Sequence, residues 1–548
     1  MKRILLTSVF GPYGPGSKYN KAGDEEWFDY FTSRLTKEKG PFALSTYPTG
    51  TSLQLIAANL DADVTVLWHP TLDEYVAELK KGWDFVGIGF KIKGLGKIFP
   101  MIAAARKHAP QAKVVIGGFG TVLHGLDNTG ADYVCKGEGV RYMRELIGQD
   151  VDAPTRQPLV TSDITLKLFR DYDFLPRVEV AQLTHGFGCP NRCDFCVTSA
   201  FYGGRHIPFT TGRAFYDAMA EVHAATGISN FWIFEEDLCL YQDSVREWGG
   251  LIRDDPERAF SWACFSSVKS LSAWDLEELV AMGLNHVWIG VESLDSSLAK
   301  REGKDIAAIF RDLHDMGVTT TGSIIVGLDH HTPDNFHVDL DYFIKLYPTT
   351  TQIGTLMPAD GTEERRRLDE LGRVRKASYK DADLYSEILI HPNFKPGQLR
   401  ETVFDAYDQF YAANGPALHR ALRGWLAGAR RFKSSTSKSL RRRAELCAQR
   451  ALTARPIFLD TLDYLPNQAV RASVEDTLAR LREEFGAPSA EDEARARLVA
   501  RVFALEEARG EVFPRGPIEP APSVRRWASG VEVAAGATGA TAVPATAV

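Results

Sequence analysis

Three cysteines crowd into Cys189-Pro190-Asn191-Arg192-Cys193-Asp194-Phe195-Cys196, on a stretch opened by Gly186-Phe187-Gly188. Thiolates at CxxxCxxC spacing on a Gly- and Pro-punctuated loop can wrap one corner of an iron-sulfur cubane. A 4Fe-4S cluster held by only three cysteines keeps one iron free for an outside ligand. Zinc competes for the same thiolates, but structural zinc wants four protein ligands and no second CxxC pair is present. His185 and His206 are the residues that could complete such a site. The remaining cysteines, Cys135, Cys239, Cys264 and Cys447, are scattered singles that read as small buried apolar residues. Seven cysteines in a 548-residue chain, an odd number with three clustered, suit a reducing compartment and a metal site rather than a disulfide framework.

A loop of this kind needs a scaffold, and the chain is long enough for three to four domains at about 150 residues each. From Val178, strand-like runs at Val178-Thr184, Asn230-Phe234, Ser261-Phe265, His286-Val291, Thr320-Val326 and Thr351-Met357 alternate with helical stretches. Six such units predict a partial (β/α)6 barrel over 178–396, with working residues at the C-terminal ends of the strands. Residues 1–150 also alternate, with strands predicted at Arg3-Phe10, Val64-His69, Asp84-Phe90, Lys113-Gly118 and Asp132-Cys135. This reads as an α/β, Rossmann-like domain that binds ligands at its strand ends. A linker is expected over 151–177, a helical C-terminal domain over 397–513, and a disordered tail rich in Pro, Ala, Gly, Thr and Val over 514–548. Hydrophobic residues are 44%, charged residues 25% and the net charge −7, which gives no reason to expect a nucleic-acid binder. No run reaches the ~18 to 20 apolar residues of a membrane span, and the apolar stretch after Lys2-Arg3 stops at Gly11-Pro12, too early for a signal sequence. The expected location is the cytoplasm.

At the cysteine loop the chain resembles the radical S-adenosylmethionine (SAM) enzymes. The resemblance implies that Cys189, Cys193 and Cys196 hold a 4Fe-4S cluster whose open iron is chelated by SAM. One-electron reduction then yields a 5′-deoxyadenosyl radical, so an external one-electron reductant is an implied partner. Phe195 matches the aromatic residue beside the adenine. Trp288-Ile289-Gly290-Val291-Glu292-Ser293 resembles the fourth-strand motif, which carries over Glu292 and Ser293 as SAM contacts. Gly322-Ser323-Ile324-Ile325-Val326-Gly327 resembles the fifth-strand motif that backs the adenine, through Gly322 and Ile324. Phe234-Glu235-Glu236-Asp237 ends the second strand with three acids, of which Glu236 and Asp237 are expected at the amino group of SAM. Asp360-Gly361-Thr362 resembles the Pro-Gly-Thr after the sixth strand, with Asp360 in place of the proline.

Gly117-Gly118-Phe119-Gly120-Thr121 and Gly137-Glu138-Gly139 each follow a strand, where glycine lets backbone approach a flat or phosphorylated ligand. Upstream of such a barrel the pair resembles the cobalamin-binding domain of cobalamin-dependent radical SAM enzymes, and implies contacts from Gly117, Gly118, Thr121, Gly137 and Glu138. The loop Gly11-Pro12-Tyr13-Gly14-Pro15-Gly16-Ser17 lacks the Asp-x-His-x-x-Gly that ligates cobalt in other cobalamin domains, so no protein imidazole is expected there. Methylthiotransferases share this architecture, but use three further cysteines in the first domain, where this chain has only Cys135. The implied activity is C-methylation at an unactivated carbon with 4Fe-4S cluster, SAM and cobalamin as cofactors. A non-methylating radical SAM cyclisation, rearrangement or coupling is the alternative, and a cobalamin- or cluster-binding sensor is one of another class.

Between Gln409 and Ala444 there is no acid, while Arg420, Arg423, Arg430, Arg431, Lys433, Lys438, Arg441, Arg442 and Arg443 supply nine cations. Leu418, Leu422, Trp425 and Leu426 share a helical face. Two readings follow: a solvated helix packed on the barrel, or peripheral contact of 418–443 with an anionic membrane, which would suit a lipid rather than a small-molecule substrate. No aromatic stacking platform accompanies the charges, so nucleic acid is not expected.

Overall fold

The computed structural model describes residues 1–11, 42, 44–46, 50–166, 178–294, 302–303, 305–376, 379, 382, 384–385, 387–509 and 523–533. The strands in chain order are β1 (Arg3–Ser8), β2 (Leu44–Thr46), β3 (Asp63–Trp68), β4 (Phe85–Gly89), β5 (Lys113–Gly117), β6 (Tyr133–Cys135), β7 (Thr161–Leu166) and β8 (Val178–Thr184). They continue as β9 (Gly186–Phe187), β10 (Ile207–Pro208), β11 (Asn230–Phe234), β12 (Ser261–Ser266), β13 (Leu284–Glu292), β14 (Thr319–Val326), β15 (Thr350–Thr355), β16 (Ser523–Ala528) and β17 (Val531–Val533).

The first sheet has the order β17-β16-β3-β1-β4-β5-β6, and β3, β1, β4, β5 and β6 are parallel. Parallel strands covered on both faces bury nearly every residue, and Ile4 to Ser8 in β1 are all buried. One face packs Leu5, Val86, Ile88, Val114 and Ile116 under the helices Leu72–Leu79 and Leu95–His108. The other packs Ile4, Leu6, Val64, Val66 and Val115 under the helices Ser52–Ala58 and Gly139–Leu146. Thr71 opens the helix Leu72–Leu79 with a capping box, its Oγ1 accepting from Glu74 N (3.1 Å) and its N–H donating to Glu74 Oε2 (2.7 Å).

The second sheet has the order β15-β14-β13-β12-β11-β8-β7-β2. Its six parallel strands from β8 to β15 lie in chain order, the arrangement of an open barrel wound in one direction. Alternation sets its two faces. Phe231, Ile233, Cys264, Val287, Ile289 and Val291 pack outward under the helices, leaving Trp232, Phe265, His286 and Trp288 on the concave side.

Three sequence expectations need correction. The presumed linker is partly a strand: Val160 is buried and β7 pairs antiparallel with β8, while residues 167–177 lie outside the described residues. The presumed disordered tail supplies β16, which runs antiparallel along β3 from Ser523 opposite Trp68 to Ala528 opposite Asp63, then turns back as β17. Trp527 is 3% exposed and completes a core of the first sheet. Finally, the stripe of Leu418, Leu422, Trp425 and Leu426 is no membrane face. It packs with Ala451, Phe458, Val474 and Phe503 as the core of the helical region, because helices that close on one another bury their apolar sides first. The cations beside it are bound within the protein: Arg430 and Lys433 pair with Glu484 (2.9 and 2.7 Å), Arg431 with Glu277 (3.2 Å), and buried Arg443 donates to Gly317 O (2.6 Å). None of the described helices is long and apolar enough to cross a membrane.

Candidate active site

The cysteine loop leaves and re-enters the barrel through a two-stranded ladder in which Gly186 and Phe187 of β9 pair with Pro208 and Ile207 of β10. Cys189 is buried and Cys193 and Cys196 are half-buried. Cys196 sits at the N-cap of the helix Val197–Tyr202, and its N–H donates to Cys193 O at 3.0 Å. Burial, reinforced by repulsion from Asp237 and Glu236, pushes the Cys189 thiol up to about 12. A thiol so disposed becomes a thiolate when a cation compensates it, as an iron ion would. Among the described residues, the sets of His, Cys, Asp and Glu atoms that converge within 4.8 Å do not include the three sulfurs. They are not gathered as the ligands of one zinc ion. Three cysteines on one loop are the donor set that suits a cubane with an open iron.

The three acids that end β11 divide three ways. Glu235 turns inward, where its Oε2 accepts from His185 Nδ1 (3.1 Å) and His206 Nε2 (2.8 Å). Burial opposes its charge, but those hydrogen bonds outweigh it and hold the carboxyl below the ordinary range. Asp237, 2% exposed, is saturated. Its Oδ1 accepts from Ser266 Oγ and Ser267 N, and its Oδ2 from Ser270 Oγ and Asn191 Nδ2, all at 2.9 Å. The carboxylate expected at the amino group of SAM therefore ties the cysteine loop to the end of β12. Glu236 alone stays open to solvent. Protein crowds it nonetheless: burial and repulsion from Glu235 raise its pKa, offset in part by Thr198 Oγ1 (3.2 Å). An accessible, uncompensated carboxylate beside the cysteine loop is what an ammonium group would neutralise.

Phe195 packs at the edge of the barrel core. Glu292 is 6% exposed and takes a positive φ of 62°, unusual for a side-chain-bearing residue, where the pairing of β13 with β14 slips between Gly290 and Glu292. Ser293 Oγ meets His330 Nε2 at 3.2 Å. His331, next in the chain, accepts from the N–H groups of Gly327 and Leu328 through Nδ1 and bonds Asp339 through Nε2 (3.0 Å), fixing the turn after β14. Gly322 and Ile324 face away from the concave side. A Cβ on Gly322 would meet Phe343 Cε2 at 2.7 Å, and Ile324 lies in the same outer core. Their neighbour Ser323 points inward to Trp288 Nε1. Trp288, Phe265 and Trp232 form a run of rings with centroids 5.0 and 5.5 Å apart. Of this strand's motif, Ser323 is thus the residue turned to the concave side, and Gly322 and Ile324 are turned to the outer core.

In the first domain, Gly118 has φ 93° and a Cβ there would meet Phe90 O at 2.7 Å, so this glycine serves the protein's own turn. Gly117 lies beside Cys135, and buried Thr121 bonds Gly118 O (2.8 Å). The Glu138 carboxylate caps its own helix, accepting from Val140 N and Arg141 N. Gly137, at φ 102°, faces open space. Pro12 to Ser17 lie outside the described residues. Gly11 is described, and its carbonyl meets Nδ1 of His69 (2.9 Å), a histidine that sequence reading did not weigh. His69 is buried with a φ of 49°, and burial lowers its pKa to about 4.

The strand ends of the two sheets meet. Phe119, after β5, packs on Phe201 of the helix that follows the cysteines (4.9 Å). Val122 abuts Gly361 after β15, and Ala359 belongs to the core of the first sheet. Glu364 N donates to Asp194 O in the cysteine loop (3.0 Å).

Residues 183–343 match the family model described as the Radical SAM superfamily. No curated protein matches the chain. Among solved structures it is similar to the radical S-adenosylmethionine methyltransferase TsrM from Kitasatospora setae with cobalamin and a 4Fe-4S cluster bound. The identity is 17% and the TM-score 0.48, over 82% of this chain and 99% of that one. TsrM with tryptophan substrate and the SAM analog aza-SAM gives the same values. Coproporphyrinogen III oxidase (HemN) from Escherichia coli, a radical SAM enzyme, follows at 15% identity and TM-score 0.28, over 42% and 52% of the two chains.

Proposed function

We propose that this radical SAM enzyme is cobalamin-dependent and methylates an unactivated carbon of a small molecule. The observation that carries the reading is the meeting of strand ends: the loop after β5 packs against the helix that leaves the cysteine loop, with Phe119 on Phe201 at 4.9 Å. A ligand seated on the first sheet would then face the barrel mouth, since ligands of such sheets lie beyond the carboxyl ends of the strands.

When bound, SAM and the cluster supply one-electron chemistry that removes a hydrogen atom, and methylcobalamin supplies the methyl group. The chain's part is placement. Cys189, Cys193 and Cys196 hold the cluster, Asp237 fixes the loop through Asn191, and Glu236 takes the amino group of SAM. Glu292 and Ser293 close the opposite side. Gly137 offers a bare backbone toward the corrinoid, while Gly117, Gly118 and Thr121 shape the turn beneath it. His69 is held by Gly11, and no imidazole is assigned to cobalt. Most of the cations of 418–443, Arg430, Arg431, Lys433 and Arg443 among them, are engaged within the protein, which favours a soluble substrate over a lipid.

The test is anaerobic reconstitution with iron, sulfide, hydroxocobalamin and SAM under a low-potential reductant. Four iron and one corrinoid per chain are expected, with S-adenosylhomocysteine and 5′-deoxyadenosine formed together once a substrate is supplied. Electron paramagnetic resonance of the cob(II)alamin form should lack protein-nitrogen splitting. Failure to retain corrinoid, or turnover yielding 5′-deoxyadenosine with no S-adenosylhomocysteine, would overturn the methyltransferase reading in favour of a non-methylating radical reaction.

A further inference from the structure

The loop from Gly188 to Arg205 carries every proposed cluster ligand, and its two feet are joined by one buried carboxylate. His185 precedes β9 and His206 precedes β10. Glu235 lies beneath both, 3% exposed, with one oxygen accepting from each ring. Because a carboxylate only accepts, both histidines donate, which fixes the tautomer of His185 and leaves its Nε2 for Ser244 Oγ (3.0 Å). His206 also stacks on Tyr241, with centroids 4.0 Å apart. The backbone has made room for the arrangement: a Cβ on Gly186 would collide with His206 Nε2 and reach Glu235 Oε2 at 2.6 Å. Phe209 N donates to His185 O (2.9 Å), closing the same ring of contacts from the outgoing foot.

We propose that Glu235 is a positioning residue, which with His185 and His206 clasps the two feet of the cysteine loop so that Cys189, Cys193 and Cys196 keep the spacing a cluster needs. The inference rests on the cluster reading for its purpose, and on the geometry of the loop for its existence. Glu235 is thereby distinct from Glu236, its neighbour in sequence, which is exposed, meets Thr198 and makes none of these bonds.

Hydrogen exchange of the iron-free full chain reads the clasp without any cofactor. Glu235→Ala and His206→Ala should speed exchange in peptides spanning 186–208 by about tenfold, the change that losing one buried charge-assisted hydrogen bond produces. Peptides from β12 and β13 should stay unchanged. His206→Gln, which keeps a donor near the position of Nε2, should stay within about twofold of the unmodified chain. After reconstitution, the two Ala variants should lose iron to a chelator about tenfold faster, and the Gln variant should not. Unchanged loop exchange, equal acceleration throughout the barrel, or stoichiometric zinc in the unmodified protein that Glu235→Ala abolishes would each overturn the proposal. If the unmodified chain binds no iron while the loop responds as expected, the clasp stands and the cluster reading fails. Intact clusters with unaltered loops in every variant give the converse.

Discussion

Replacing Asp237 should loosen the cysteine loop and the barrel together, and the two obvious replacements should differ. Its buried carboxylate receives four hydrogen bonds at 2.9 Å, two on each oxygen, from Asn191, Ser266, Ser267 and Ser270. With Ala, the Ser267 N–H and the Asn191 amide are left without an acceptor in a closed space. At about 1 to 3 kcal/mol for each orphaned group, less whatever the serine hydroxyls recover by rotating, the expected loss is about 3 to 5 kcal/mol. With Asn, one oxygen keeps its two donors and the new amide faces the other pair. The Ser270 hydroxyl can rotate and the Asn191 amide can flip to accept, so the cost should fall to about 1 to 3 kcal/mol. Stabilities of a domain like this lie near 5 to 15 kcal/mol, so both shifts are measurable. Urea unfolding followed by tryptophan fluorescence reads the stability, and cysteine alkylation of the iron-free protein reads the loop. A loss below about 1 kcal/mol for Asp237→Ala, or equal losses for Ala and Asn, would refute the claim that four donors converge on this carboxylate.

Three further outcomes are expected. Glu236→Gln should weaken SAM binding by about tenfold or more in calorimetric titration, because a charge-assisted contact to the ammonium group is lost, while leaving the unfolding curve near that of the unmodified chain; undiminished affinity would remove Glu236 from the SAM site. His69 and His286 are both lowered to about 4 by burial, so the unfolded chain binds protons that the folded chain refuses. Their stabilising effect is full above about pH 6.5 and is lost as the pH falls toward 4, by up to about 1.4 kcal/mol per pH unit for each histidine, and a urea midpoint flat across that window would contradict it. Trp527→Ala should cost the first sheet about 3 to 5 kcal/mol, as large-to-small changes of buried aromatics do, and a truncation before Ser523 should do at least as much; unaltered protease resistance of the first 150 residues would speak against a structural role for the C-terminal hairpin.

The parts legible in the sequence are those whose signal is local. β1 and β5 announce themselves as apolar runs because a parallel sheet buries both faces, and the cysteines advertise a metal by spacing alone. What stayed hidden depends on direction or on distance. Glu235, Glu236 and Asp237 are consecutive acids, and nothing in their order tells which turns to the histidines, which to solvent and which to Asn191. Gly322 and Ser323 differ by one position and so by one face of the strand, an ambiguity that only the packing of Phe343 resolves. The pattern around Leu422 and Leu426 is that of any amphipathic helix, and its partners, among them Val474 and Phe503, lie far along the chain. Ser523 to Ala528 is a short, charged strand in a low-complexity setting, and the edge it covers, Asp63 to Trp68, lies far back in the chain.

That last pairing sets a timetable for the molecule's birth. Roughly 455 residues separate the end of β3 from the start of β16, so at about 5 to 20 residues per second the first sheet waits on the order of 20 to 90 s for its final strand. Until then β3 presents an unpaired edge to whatever else is being made nearby, the hazard that natural sheets usually avoid by covering their edges. The first sheet is therefore begun long before it is finished. A chain without the residues from Ser523 onward would hold all three loop cysteines and leave the β3 edge open, so the hairpin shields an edge as well as adding a strand.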